Sequence, residues 1–155
     1  MSGHSLGGLT TLGLIGKHPD QAMKDERIKA ALTLSSPAYP FETSNGSIDI
    51  PIMIIHGDLD LPRLRPDVLR RAIFDLAEPP KFYIVIKTCG HFAESDAACK
   101  NYDTILECRN SDIQIMTINK YAAAFFKRYL RHDLEAEKIL RSTDDALAQY
   151  EYELK

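Results

Sequence analysis

No stretch of this 155-residue sequence approaches the ~18 consecutive apolar residues that a membrane-spanning helix requires. Low-complexity tracts are also missing. With 45% hydrophobic and 26% charged residues, the chain reads as globular rather than disordered. Charge of one sign is not concentrated anywhere. The net charge is −3, and the densest basic patch, Lys127-Arg128 with Arg131, reads as the solvated face of a helix. That pattern argues against nucleic acid as a partner. Met1-Ser2 runs straight into Gly3, with no basic and apolar leader before it. The compartment, cytoplasmic or secreted, is therefore open, because any signal peptide is expected upstream.

Cysteine is scarce. Cys89, Cys99 and Cys108 make an odd count, with no CxxC pair and no matching histidine cluster. This excludes a complete disulfide framework and argues against structural zinc. Cys99 and Cys108 are near enough in sequence to close a short loop in an oxidising compartment.

What is present alternates between helical and strand patterns. Leu6, Leu9, Leu12 and Ile15 recur at helical spacing, which predicts a helix from Ser5 to about His18. Ile28 to Leu34 is short and β-capable, and Ser35-Ser36-Pro37 ends it. Tyr39 to Ile50, containing Asn45-Gly46, reads as a loop. Ile52 to His56 is a second strand. Pro66 to Leu76 is a helix with Leu69, Ile73 and Leu76 on one face. Phe82 to Ile86 is a third strand. A long helix from about Ser111 to Arg131 carries the stripe Ile118, Tyr121, Ala122, Phe125 and Tyr129. The residues after His132 form a charged tail with weak helical potential. Strands separated by helices imply an α/β fold, with about three parallel strands and flanking helices.

Gly3-His4-Ser5-Leu6-Gly7-Gly8 fits the pattern G-x-S-x-G directly before a helix. A nucleophilic serine on a sharp strand-to-helix turn brings its neighbours very close, and glycines two before and two after it remove colliding side chains. The helix start aims backbone N–H groups at the reacting centre, and the N–H of Leu6 is a candidate oxyanion donor. A serine also needs a base, itself oriented by an acid. Asp58 and Asp60 follow the strand ending at His56, and His91 follows the strand ending near Ile86. In an α/β sheet, such strand ends are where functional groups collect.

These segments, Gly3 to Gly8, Pro51 to Asp60 and Gly90-His91-Phe92, together resemble the α/β-hydrolase superfamily. They are most similar to the dienelactone hydrolase, platelet-activating-factor acetylhydrolase and cutinase-like polyesterase group. Tyr121 to Leu130 resembles the last helix of that group, so the resemblance spans roughly residues 3–133. It implies that Ser5 is the nucleophile, His91 the base and Asp60, the second aspartate of its turn, the acid. Asp58 then caps the turn. His4 and His56 are expected to be structural or rim residues, and His18 and His132 to sit at helix C-termini. The implied activity is hydrolysis of small-molecule carboxylic esters through an acyl-enzyme, without metal or organic cofactor. The same residues serve a thioesterase, a peptidase or an acyltransferase. A dehalogenase is disfavoured because that chemistry needs a carboxylate at position 5.

A domain of that family is considerably longer, on the order of 250 residues. Residues 1–133 are therefore expected to be the C-terminal part of a partial α/β-hydrolase fold, and 134–155 a charged, partly helical tail. With only Met1 and Ser2 before Gly3, the strand ahead of the serine is expected to be absent and the serine turn unclamped. The strand from Ile28 is expected to carry an exposed apolar edge, a route to association. The loop that supplies a second oxyanion donor is expected upstream too. Loss of one such donor typically costs ~10²–10³ in rate. The expected result is a chain with weak or no activity alone, or a non-catalytic remnant that binds a partner.

Overall fold

Strand β3, Ile52–Gly57, is apolar at every position until His56 because both of its faces are covered. Ile52 and Ile54 point to one face and Met53 and Ile55 to the other, following the two-residue period of a strand. Each buried side chain of this size contributes about 1.5–3 kcal/mol of transfer free energy. The same alternation runs along β4, Lys81–Ile86, with Tyr83 and Val85 on one side and Phe82, Ile84 and Ile86 on the other.

The structure is a computed structural model that describes residues 1–39, 41, 46–60, 66–92 and 112–155. Its described strands form one five-stranded sheet in the order β1-β2-β3-β4-β5. Strands β1 (Ser2–His4), β2 (Ala31–Leu34), β3 and β4 are parallel, and β5 (Leu147–Glu153) pairs antiparallel with β4. Helices α1 (Leu6–Leu12) and α2 (Pro66–Leu76) follow β1 and β3. Leu12 from α1 and Ile73 and Phe74 from α2 join the core on the Ile52–Ile54 face. Helices α3 (Asp112–Arg131) and α4 (Leu134–Leu140) cover the opposite face with Ile118, Tyr121, Phe125, Ala136 and Leu140. Among the described residues no helix is long and apolar enough to cross a membrane.

Several expectations are corrected. A strand does precede the serine: Ser2, Gly3 and His4 pair with Leu32, Thr33 and Leu34. Three polar or small residues carry no hydrophobic periodicity, so only the backbone ladder reveals them. Strand β2 is therefore an inner strand, with Ala31 and Leu32 buried, rather than an exposed apolar edge. It begins at Ala31, not Ile28. Four of the described strands are parallel, where about three were expected. In the tail, α4 is helical as its composition allows, but β5 was not anticipated. Tyr150 and Tyr152 alternate there with Gln149, Glu151 and Glu153, and Tyr152 stacks on Phe82. The first helix is not continuous to His18. It widens after Leu12 into a π-type turn, Gly13–Lys17, in which Gly16 takes φ 118. On α2 the buried face is Arg70, Ile73 and Phe74, with Ala77 buried just past its end, while Leu76 is exposed. Cys99 and Cys108, Asn45 and the expected helix start at Ser111 lie outside the described residues.

Candidate active site

The serine sits where β1 turns into α1. Ser5 has φ 52, a left-handed conformation that a side chain adopts only under constraint. The constraint comes from both sides. The Ser5 N–H donates to Leu34 O at 2.9 Å, and the N-terminal amine donates to Ala30 O at 2.7 Å. Ser5 O accepts from Gly8 N–H at 2.9 Å as the helix begins. The turn is thus clamped on its N-terminal side, contrary to expectation. Close approach explains two of its glycines. A Cβ on Gly3 would lie 2.2 Å from Gly7 O, and one on Gly8 would lie 2.5 Å from Ser36 Cβ. A Cβ on Gly7 would meet open space, so the steric demand expected at Gly7 falls on Gly8 instead.

His91 reaches the serine from the loop after β4. Its Nε2 is 3.0 Å from Ser5 Oγ, and its Nδ1 is 2.9 Å from Asp60 Oδ1. The His91 side chain is 27% exposed and that of Asp60 only 3%, so the relay runs from an accessible end to a buried one. An ionised carboxylate only accepts, so Nδ1 carries the proton toward Asp60 and Nε2 is left to accept from the serine hydroxyl. His4 lies beside this pair. Its Nε2–H donates to His91 O at 2.7 Å, and its ring stands 4.9 Å from the His91 ring. Phe92 packs against both imidazoles.

The loops that carry Asp60 and His91 are stitched together. Asp58 N–H donates to Ile86 O, Leu59 N–H to Cys89 O, and Asp58 Oδ1 accepts from Cys89 N–H at 3.3 Å. Asp58 thus fastens the turn while Asp60 faces the histidine. Gly57 must be glycine here, because a Cβ would fall 1.7 Å from Cys89 O. Gln114, buried on α3, donates to Lys87 O, Thr88 O and Thr88 Oγ1 at 2.9, 2.9 and 2.6 Å. It pins the turn before His91, in which Thr88 has φ 52.

Sequence reading missed Arg70. Its Nη2 donates to Asp60 Oδ2 at 2.8 Å, and its Nε donates to Ser36 O at 2.8 Å. The available signal was an arginine at the head of an i, i+3, i+4, i+7 row with Ile73, Phe74 and Ala77. Burial alone would push the Asp60 carboxyl up. The hydrogen bond from His91, the charge of Arg70 and a hydrogen bond from Ser35 outweigh it and hold Asp60 below its ordinary value.

The remaining histidines lie apart from this relay. His56 is buried, with Nε2 2.9 Å from Tyr83 Oη. His18 Nδ1 accepts from Asp20 N–H after the π-type turn. His132 takes φ 57 one residue past α3, a helix-ending conformation. Among the described residues no group of three or more His, Cys, Asp or Glu side chains could hold a metal ion.

No protein-family model matches the chain, and no curated protein matches it in sequence. Among solved structures it is similar to the crystal structure of the esterase domain of a Rhodothermus marinus protein. The TM-score is 0.50 at 16% sequence identity, over 83% of this chain and 59% of that one. The likeness is one of fold, and this chain spans less than two thirds of the length of the esterase domain.

Proposed function

We propose that this chain carries the reaction centre of a serine hydrolase acting on carboxylic esters. The observation that carries the reading is the continuous relay Ser5 Oγ, His91 Nε2, His91 Nδ1, Asp60 Oδ1, with links of 3.0 and 2.9 Å. Ser5 Oγ attacks the ester carbonyl while its proton passes to His91 Nε2. Asp60 stabilises the imidazolium through Nδ1–H. The tetrahedral intermediate expels the alkoxide, which takes the proton from His91 and leaves as the alcohol. Water then attacks the acyl-serine, His91 accepts its proton, and the acid is released as Ser5 regains its hydroxyl. Leu6 is the first residue of α1, so its N–H is one of the first-turn donors that lack an intrahelical acceptor. It is the proposed donor to the oxyanion. No step calls for a metal or an organic cofactor.

Fluorophosphonate labelling, with the modified residue located by mass spectrometry, tests the reading alongside p-nitrophenyl ester hydrolysis. Label at Ser5 and a loss of hydrolysis of at least roughly 10³-fold in Ser5→Ala are expected. Unchanged hydrolysis in Ser5→Ala, or no label at Ser5, removes the serine from the mechanism. The same relay suits thioesters, peptides and acyl transfer, so a strong preference for one of those in substrate profiling would replace the ester.

A further inference from the structure

We propose that Arg70 is a positioning residue. By holding Asp60 through Oδ2 it directs Oδ1 to His91, and by partly neutralising that carboxylate it sets the pH range in which His91 acts as a base. The inference rests on the serine-hydrolase reading of the same site and names a residue that the reaction scheme itself does not contain.

The geometry is specific. The Arg70 and Asp60 side chains are 4% and 3% exposed, so their pairing is nearly shielded from water. Two donors of one rigid guanidinium plane, Nε on Ser36 O and Nη2 on Asp60 Oδ2, fix its direction. The adjoining cavity, about 10 Å³ between Leu12, Thr33, Ala38 and Ile73, is too small to receive the guanidinium. Stability does not call for an arginine here. A buried ion pair gains little over well-packed apolar residues, and residue 70 belongs to the apolar row of α2. What an apolar side chain could not do is fasten the far oxygen of Asp60.

Groups from several elements among the described residues face the Asp60–His91 pair. They are Ser5 and His4 from β1 and its turn, Ser35 at the end of β2, and Arg70 from α2. Asp58, in the same turn as Asp60, gives an oxygen to Cys89 N–H. Arg70 is the one guanidinium or ammonium bound to Asp60 among the described residues. A carboxylate shared with a cation attracts the proton of His91 less than a lone carboxylate would. Removing the cation therefore favours the protonated imidazole. Charges several ångströms apart at an effective dielectric near 20 correspond to a shift of about one pH unit.

The test is the ring-proton NMR titration of His91 in the wild-type chain, Arg70→Met and Arg70→Lys, with His91→Gln to assign the signal. It needs no turnover. The midpoint is expected to rise by about one unit in Arg70→Met and to stay in place in Arg70→Lys, which keeps the charge. Should Arg70→Met fail to fold, Arg70→Gln carries the same expectation. An unmoved midpoint in the neutral variant, or an equal rise in Arg70→Lys, overturns the proposal. Where the wild type labels at Ser5, the acid limb of the labelling rate should move with the midpoint. A limb that stays put while the rate falls also overturns it. Absence of label on wild-type Ser5, with the NMR shift intact, would instead defeat the serine-hydrolase reading alone.

Discussion

The N–H of Ser5 donates to the carbonyl of Leu34 at 2.9 Å, so the serine turn is an extension of the sheet ladder and not a free end. The left-handed Ser5 conformation is held by this bond and by the tight packing of Gly3 against Gly7 and of Gly8 against Ser36. The three glycines of the turn should consequently respond differently to alanine. Gly3→Ala and Gly8→Ala each force a backbone or side-chain shift, with a destabilisation of about 1–3 kcal/mol or more. Gly7→Ala meets open space inside a helix and should be neutral or stabilising by up to about 1 kcal/mol. Thermal denaturation of the three variants checks the order, and equal losses at positions 3 and 7 would contradict it.

Gln114 is expected to govern the histidine loop from a distance. Its amide donates to three acceptors on Lys87 and Thr88, the turn that leads to His91. Gln114→Leu removes these bonds to a turn whose residues Lys87 and Thr88 are exposed, so water can replace the amide, and should cost about 0.5–1.5 kcal/mol of stability. On the proposed reading it should also slow labelling of Ser5, because His91 loses its fixed approach. Labelling at the wild-type rate in a folded Gln114→Leu chain would show that the turn holds His91 without it.

Asp60 makes stability depend on pH in the acid range. Its carboxyl is held below the ordinary value in the folded chain by His91, Arg70 and Ser35, against the opposing effect of burial. The unfolded chain therefore binds the Asp60 proton first. The stabilisation is complete above the ordinary aspartate pKa and is lost as pH falls through the lower, folded value. Asp60→Asn should abolish this part of the acid dependence, measured as the difference in urea midpoint between pH 6 and pH 3. A variant with an unaltered acid slope would show that other carboxylates account for it.

Strand β5 protects the edge of β4. Tyr150 and Tyr152 pack beside Tyr121 and Phe82, and Arg71 reaches across to Glu151 at 2.7 Å. Deleting residues 142–155 would leave the outer edge of β4 unpaired and Phe82 and Ile84 less covered. The shortened chain should aggregate or associate through that edge. Size-exclusion chromatography and light scattering read the outcome, and a soluble monomer of unchanged thermal stability would show that β5 is dispensable.

Much of this architecture was written in local pattern. The continuous apolar runs at Ile52–Ile55 and Phe82–Ile86 specify strands covered on both faces, and the helical stripe of α3 specifies one of their covers. The glycines around Ser5, and the placement of Asp60 and His91 after successive strands, single out three residues in the sequence itself. The structure brings those three within hydrogen-bond distance, and their chemical role is the proposal. Two strands had no local signature. Strand β1 consists of Ser2, Gly3 and His4, whose extended form is dictated by the ladder with β2. Strand β5 lies in a charged tail and exists because β4 offers it an edge and Phe82 offers Tyr152 a surface. Arg70 shares a helical row with Ile73, Phe74 and Ala77, but its partners Asp60 and Ser36 are brought to it only where the turns after β2 and β3 meet α2. Periodicity records how each element meets its own surroundings, so the sequence by itself settled the types of the central elements and the α/β class. Backbone pairing between distant strands and the matching of buried charges depend on which segments meet, and only the tertiary structure decided those.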